Sequence, residues 1–280
     1  MAENAEQLTN GWEPKAPIGD SYLRRFLFNW AADVETHGVA LGGRALRRDG
    51  MAAADAGRPA GFFNSATLLA PLPPGDPGGV LAAIDGFAFA SPTGTGEMHL
   101  WVAWPTDEPR RWGWTLGGHP PLLLRPPGGT PPPPPPGLRI EEVRTVEALR
   151  AFEAVAIAGF PLPELQPSAP GALLDPAILD EPRSRKWVGW DGERPVAVAS
   201  AFVDHGVVGV DCVATLPDAR RRGFGAALTW WATRADPTLP AMLIASDDGR
   251  PVYERLGYLP LLRLAYWVRE RPPPGPGAPP

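Results

Sequence analysis

Between Val207 and Tyr258 the chain carries residue types suited to holding a diphosphate and moving a proton beside it. Arg220-Arg221-Arg222-Gly223-Phe224-Gly225-Ala226 follows an apolar, β-branched run from Val207 to Thr215 and a turn at Leu216 to Ala219. A helical pattern from Ala227 to Arg234 comes next. Strand, basic glycine-rich loop and helix in this order gather unpaired backbone N–H groups at a helix N-terminus, where the dipole favours an anion. Glycine at Gly223 and Gly225 removes the Cβ that would hold the backbone away from phosphate. The run is neither Gly-x-x-x-x-Gly-Lys-Ser/Thr nor Gly-x-Gly-x-x-Gly, so a P-loop and a dinucleotide fingerprint are both excluded. By itself, Arg-x-x-Gly-x-Gly reads better as an arginine-rich surface turn capping a helix.

A second motif narrows the choice. Ala241 to Ala245 reads as a strand, and Gly249 to Tyr258 contains Tyr253-Glu254-Arg255-Leu256-Gly257-Tyr258, with Pro251 suited to a first helical turn. The Arg-x-x-Gly-x-Gly loop followed by Tyr-x-x-x-Gly-aromatic, in a strand–loop–helix–strand–helix frame, resembles the GNAT superfamily of N-acetyltransferases. The resemblance spans Leu138 to Trp267. It implies an α/β (α+β) fold: a mixed, mostly antiparallel central sheet flanked by helices.

The resemblance also implies roles. The amides of Arg221, Arg222, Gly223, Phe224, Gly225 and Ala226 would hold the pyrophosphate of acetyl-CoA, with Arg220 to Arg222 adding charge. The backbone of Val213, Ala214 and Thr215, at the splayed end of the central strand, would pair with pantetheine like an added strand. One amide there would polarise the thioester carbonyl. Tyr253 would protonate the leaving thiolate; the structural alternative is a core tyrosine at a helix N-terminus. The family often has a glutamate on the central strand near Gly209, and none stands here. Asp211, two residues on along the same face, and His205, which precedes the strand, are the candidate bases, either directly or through a water, and each reads more readily as structural. The expected activity is acyl transfer, most simply acetyl, to a primary amine. A catalytically silent acyl-CoA-binding regulatory protein is the alternative that the missing glutamate favours.

These groups need elements to position them. Leu138 to Val143 reads as a strand, Thr145 caps a helix to Ala158, and Trp187 to Trp190 with Pro195 to Val203 form a hairpin about Asp191-Gly192. Four strands thus precede the loop. The resemblance implies that the Pro-rich stretch from Phe160 to Arg185 is the acceptor-specificity element. Upstream, a helix from Tyr22 to Thr36 stops at Gly38, Arg44 to Ala60 is loop, and Gly61 to Pro71 is strand. A helix starts at Asp76-Pro77, Met98 to Trp104 is strand, and Gly118 to Leu124 is a last edge strand. This order suggests a smaller, degenerate GNAT-like first half. Arg110-Arg111-Trp112-Gly113 echoes the loop, but Thr115 replaces the final glycine, and the echo reads as chance. The expected division is a leader at 1–18, an N-terminal α/β region at 19–125, a stiff Pro-rich linker at 126–137 with six prolines from Pro131 to Pro136, the acetyltransferase domain at 138–270 and a disordered tail at 271–280.

Composition sets the remaining bounds. The 280 residues are 44% hydrophobic, enough for a buried core. A net charge of −5 argues against nucleic acid, and makes the basic loop a local feature. The single cysteine, Cys212, excludes an internal disulfide and reads as an inert core thiol. His37, His99, His119 and His205 are scattered, so no metal is expected, and His37 reads as a residue complementing a helix dipole. No apolar run reaches membrane-spanning length and no signal-peptide core is present, which points to a cytoplasmic protein. The expected partners are an acyl-CoA and an amine acceptor, with a homodimer as an open possibility, and neither nucleic acid nor membrane.

Overall fold

In the computed structural model, the described residues are 21–48, 50–57, 64–89, 96–160, 162 and 165–270. The expected leader at 1–18 and tail at 271–280 lie outside them. Helix α1 spans Tyr22–Ala40, and the Ser21 side chain caps it by accepting from the Arg24 amide. It runs past the expected stop at Gly38, whose carbonyl instead takes the Gly43 amide at 3.0 Å. Phe26, Leu27, Ala31 and Val34 bury its apolar face.

Strands β1 (Arg44–Arg48), β2 (Met51–Asp55) and β3 (Ser65–Leu68), helix α2 (Pro77–Ala88), strand β4 (Glu97–Val102), the short helix α3 (Glu108–Arg111) and strand β5 (Thr115–Gly118) follow. The expected loop over 44–60 is therefore corrected: β1 and β2 pair from Arg44↔Asp55 to Arg48↔Met51. Ala52, Ala53 and Ala54 are small because β2 is buried with α1 packed close against it. Small side chains weaken strand propensity, and tertiary packing overrides it.

Strand β6 (Pro121–Arg125) is followed by β7 (Leu138–Glu142), α4 (Val146–Gly159), β8 (Ser184–Asp191), β9 (Arg194–Asp204), β10 (Val207–Thr215), α5 (Phe224–Thr233), β11 (Ala241–Ile244), α6 (Arg250–Arg255), β12 (Leu259–Arg263) and β13 (Ala265–Glu270). They complete two sheets. One has seven strands in the order β12-β6-β11-β10-β9-β8-β7; the other has six in the order β1-β2-β3-β4-β13-β5. All recorded pairings are antiparallel except β10 with β11 and β3 with β4. The expected mixed, mostly antiparallel sheet is present.

Each sheet contains one strand from the other half of the sequence. The expected edge strand at 118–124 breaks at His119-Pro120, and β6 enters the seven-stranded sheet between β11 and β12. All five residues of β6 are buried, as a strand covered on both faces requires, and Pro121 stands at its first position, where a missing N–H is tolerated. In return β13 enters the six-stranded sheet between β4 and β5. Sheet pairing thus crosses the Pro-rich segment in both directions. Within it, Pro131 lies beside Trp230 and Trp231 of α5, and Pro135 lies beside Gly223 at the start of that helix. Arg125 donates to the carbonyls of Leu256, Pro126 and Gly128 and sits 4.5 Å from the Trp230 ring centroid.

Candidate active site

Helix α5 has no side-chain cap. Its N-cap Gly223 is left-handed at φ 84°, and Arg221 is also left-handed at φ 67°. Positive φ at an arginine is uncommon, and alternation of left- and right-handed residues turns successive amides into one concavity. The first amide of the segment with a partner after Arg220 is that of Ala227, which donates to the Gly223 carbonyl at 3.1 Å. Among the described residues, the amides of Arg221, Arg222, Gly223, Phe224, Gly225 and Ala226 have no acceptor. A Cβ at Gly225 would stand 3.1 Å from Thr215 Oγ1, so this glycine also lets the loop close on the end of β10.

The three arginines differ. Arg220 donates to the carbonyls of Thr215 (3.2 Å) and Gly159 (3.0 Å), tying the loop to the ends of β10 and α4. Arg222 pairs with Asp191 at 2.6 Å and covers the Phe224 ring. Arg221 is exposed and, among the described residues, has no partner. Of the three, Arg221 leaves its charge open to solvent.

Strands β10 and β11 are in register only at Val208↔Ala241 and Gly209↔Met242. Beyond Gly209 they part, while β10 stays paired to β9 through Ala214↔Val198 and Thr215↔Ala197. A β-bulge between Asp211 and Ala214 puts Cys212 at φ 47°. The edge of β10 from Val210 to Thr215 therefore has no strand on its β11 side. A cleft of about 550 Å³ opens there, lined in part by Asp211, Cys212, Val213, Leu243, Ser246 and Tyr253. Of the expected strand-end residues Val213 reaches the cleft lining; Ala214 is buried in core, and Thr215 lies against the loop.

Tyr253, on α6, packs against Tyr258 with ring centroids 6.1 Å apart, and its hydroxyl has no partner among the described residues. Burial pushes its phenol up to about 12, so it is protonated at neutral pH. Burial pushes the Asp211 carboxyl up as well; the Asp33 carboxylate adds to the rise, and the Ser200 hydroxyl bond opposes it. A carboxylate raised in this way takes a proton more readily. Burial pushes the Cys212 thiol up, which leaves it inert. His205 does not belong to the cleft lining: it turns the chain from β9 to β10 against Phe28, and burial lowers its pKa.

Gly209 explains the missing acid on the central strand. A Cβ there would stand 2.1 Å from Asn29 Oδ1, because α1 crosses the sheet at this point. Asn29 donates to the carbonyls of Phe202 (3.0 Å) and Asp204 (3.1 Å), which docks the helix. The first half of the chain thus occupies the space a longer side chain would need.

It also supplies groups the sequence reading did not assign. Asp33 and His37 are buried on α1, and His37 Nδ1 lies 2.8 Å from Asp33 Oδ1. His37 Nε2 faces the buried Lys186 ammonium at 3.0 Å, and Lys186 donates to Ser184 Oγ at 2.6 Å. Burial lowers the Lys186 pKa, while the charges of Asp33 and Asp211 oppose that. His37 is thus a linker between helix and sheet rather than a solvated dipole partner. Asp33 and His37, four apart among apolar α1 positions, were the available signal. The stretch expected to set acceptor specificity contributes Phe160 to the cleft lining, while the buried Glu153 gathers much of it by accepting the amides of Gly171, Leu173 and Leu174.

Among the described residues no His, Cys, Asp and Glu cluster has metal-binding geometry, and no helix is long and apolar enough to cross a membrane.

Residues 152–258 match the model of the Acetyltransferase (GNAT) family. A GCN5-related N-acetyltransferase from Kribbella flavida shares 25% identity, with a TM-score of 0.60 over 85% of this chain and 95% of that one. A GNAT-family protein from Novosphingobium aromaticivorans shares 18% identity, with a TM-score of 0.56 over 91% of this chain and 100% of that one. A GCN5-related N-acetyltransferase from Sphaerobacter thermophilus shares 16%, with a TM-score of 0.52 over 80% of this chain and 78% of that one. These last two likenesses speak to the fold alone. A comparison with curated proteins found no match. The motif-bearing loop, the parted strands and the family match all fall in the second half, where residues 152–258 match the GNAT acetyltransferase family.

Proposed function

We infer that the protein is an acyl-CoA-dependent N-acyltransferase that passes an acetyl group to a primary amine by direct attack in a ternary complex. The observation that carries this reading is the run of unpartnered amides from Arg221 to Ala226, opening beside the unpaired edge of β10. Amides at the N-terminus of a ten-residue helix suit a diphosphate, and a protein strand edge suits the amide-bearing pantetheine arm. The thioester supplies the activated acyl carbon.

The chain's own groups then manage protons. Asp211 takes the proton of the attacking amine, directly or through a water, so that the nitrogen lone pair can form the C–N bond. Tyr253 gives its phenolic proton to the sulfur as the C–S bond breaks, and recovers one from solvent. An amide N–H on the free edge of β10 near Val213 supports the carbonyl oxygen as charge builds on it. The products are an N-acyl amine and a free thiol.

Incubation with acetyl-CoA and a panel of amines, reading thiol release, tests the proposal. Release that depends on an amine and collapses in Tyr253→Phe is the expected result. Tight acetyl-CoA binding with no release on any amine would replace the enzyme by a silent acyl-CoA-binding protein.

A further inference from the structure

The far wall of the cleft is built by the first half of the chain and by the strand it receives. Trp30 on α1, Trp101 on β4 and Tyr266 on β13 all line it and are all half-buried. The Trp30 and Trp101 rings meet edge-on at 5.5 Å, and Trp101 and Tyr266 lie 4.7 Å apart at 37°. Gly117 makes room for this wall, since a Cβ there would come within 2.6 Å of the Tyr266 ring. Phe160 adds an aromatic residue from the end of α4.

The carboxylates of the cleft lining face no Lys or Arg there, and its one imidazole, His119, is exposed. Asp33 and Asp211 line the cleft, and Asp247 stands at an exposed position paired with Arg263 at 2.6 Å. The neighbouring cation, Lys186, is turned to His37 and Ser184 and is not part of this lining. A ligand entering here meets aromatic rings and the Asp33 and Asp211 carboxylates, while His119 and Ser246, which could donate to a carboxylate, stand at exposed positions. Aromatic rings hold a flat apolar partner by offset stacking or edge-on contact, which a flexible alkyl chain cannot match. An unpaired anion brought beside buried carboxylates is strongly disfavoured.

We propose that the acceptor is a primary amine carried on an aromatic or similarly flat apolar body and lacking a carboxylate, with its ammonium at Asp33 and Asp211 and its ring against Trp101 and Tyr266. The volume suits a small molecule alongside the end of a pantetheine arm; pockets of roughly 300–1,000 Å³ take ligands of that size. The selection against carboxylates separates the acceptor from free amino acids. Turnover of such an amine rests on the acyltransfer reading above, whereas its binding does not.

The test begins without acyl donor. Calorimetric titration of the full chain compares 2-phenylethylamine, hexylamine and phenylalanine, which vary the ring and the carboxylate one at a time. The expected result is about tenfold tighter binding of 2-phenylethylamine than of hexylamine, and at least about 100-fold weaker binding of phenylalanine. Trp101→Leu should remove the preference over hexylamine, and Tyr266→Leu should reduce it, while Tyr266→Phe keeps it; circular dichroism and melting check each fold. Equal affinity for hexylamine, equal affinity for phenylalanine, or an unchanged preference in Trp101→Leu would overturn the proposal. The same amines are then offered with acetyl-CoA. Selective binding with no thiol release would leave the acceptor class standing and remove the enzyme. Release that favours hexylamine or phenylalanine would do the reverse.

Discussion

The two sheets follow one plan, and only one of them leaves a helix start with open amides. In each, a run of antiparallel strands leads to a parallel neighbour reached through a helix, then to a strand lent by the other half, then to a last strand. Helix α2 stands in the six-stranded sheet where α5 stands in the seven-stranded one, and α3 stands where α6 does. The difference is at the helix starts. Asp76 caps α2, and its carboxylate accepts the Gly79 amide at 2.8 Å. Pro71, Pro73 and Pro74 in the approach lack N–H donors altogether. Gly223 caps α5 with no side chain, and the amides around it stay open. A helix N-terminus holds either its own carboxylate or a visiting anion. The fold offers the position twice; the cap residue decides which stays open.

The largest effect should come from making the second start resemble the first. Gly223→Asp puts a carboxylate where the diphosphate would rest and forces a side chain onto φ 84°, which costs about 1–2 kcal/mol. Calorimetry should show acetyl-CoA affinity reduced by more than about 100-fold, with the protein still folded on melting. Retained affinity would mean the anion sits elsewhere.

Tyr253→Phe should lower kcat by about 100-fold with little change in donor KM, because the phenol acts on the leaving sulfur and not on the diphosphate. A drop confined to KM would assign Tyr253 to packing. Asp211→Asn should lower turnover by about tenfold to 100-fold. The pH profile sharpens this point. The carboxyl of Asp211 is raised from the ordinary 3.8 to about 6, and a base works only when deprotonated, so wild-type activity should fall as pH drops through about 6. Asp211→Asn should lack that limb. Tyr253, pushed up to about 12, should give no loss on the alkaline side between pH 7 and 10.

The arginines should separate by their partners. Arg221→Ala should raise donor KM about fivefold, with the effect shrinking at high salt, since its charge is exposed. Arg220→Ala should act on melting temperature instead, because its guanidinium holds β10 and α4 together. The smallest effect belongs to the first half. Asp76→Gly opens the α2 cap at a cost of a few tenths of a kcal/mol, seen as a small shift in melting, and should create no acetyl-CoA site. A new site there would mean that an open cap suffices without the parted strands and Arg221.

Much of the second half was legible because its signals are local. The limits of β10 are those of the β-branched run Val207 to Thr215, and Thr145 caps α4 as its hydroxyl chemistry suggests. The loop and Tyr253 announce themselves by glycine, arginine and tyrosine at short spacings. What escaped depends on partners far along the chain. Leu122 to Leu124 reads as apolar strand, but nothing local says it will sit between β11 and β12, over a hundred residues away. The alanines of β2 look like loop until α1 covers them. Asp33, His37 and Lys186 come from elements distant in sequence, so their meeting shows only in three dimensions. Gly209 looked like a lost catalytic position, and it is the place where Asn29 fits. The Arg110 to Gly113 echo falls at the start of the α3–β5 turn, the position matched by α6 and not by the phosphate loop, in keeping with chance.

The most direct test follows the backbone itself. In amide-resolved NMR of the deuterated protein, adding acetyl-CoA should move the N–H signals of Arg221 to Ala226 downfield as hydrogen bonds to phosphate oxygen form, while the Gly79 amide under Asp76 stays still. Saturable binding with those six signals unmoved would place the diphosphate elsewhere and contradict the account.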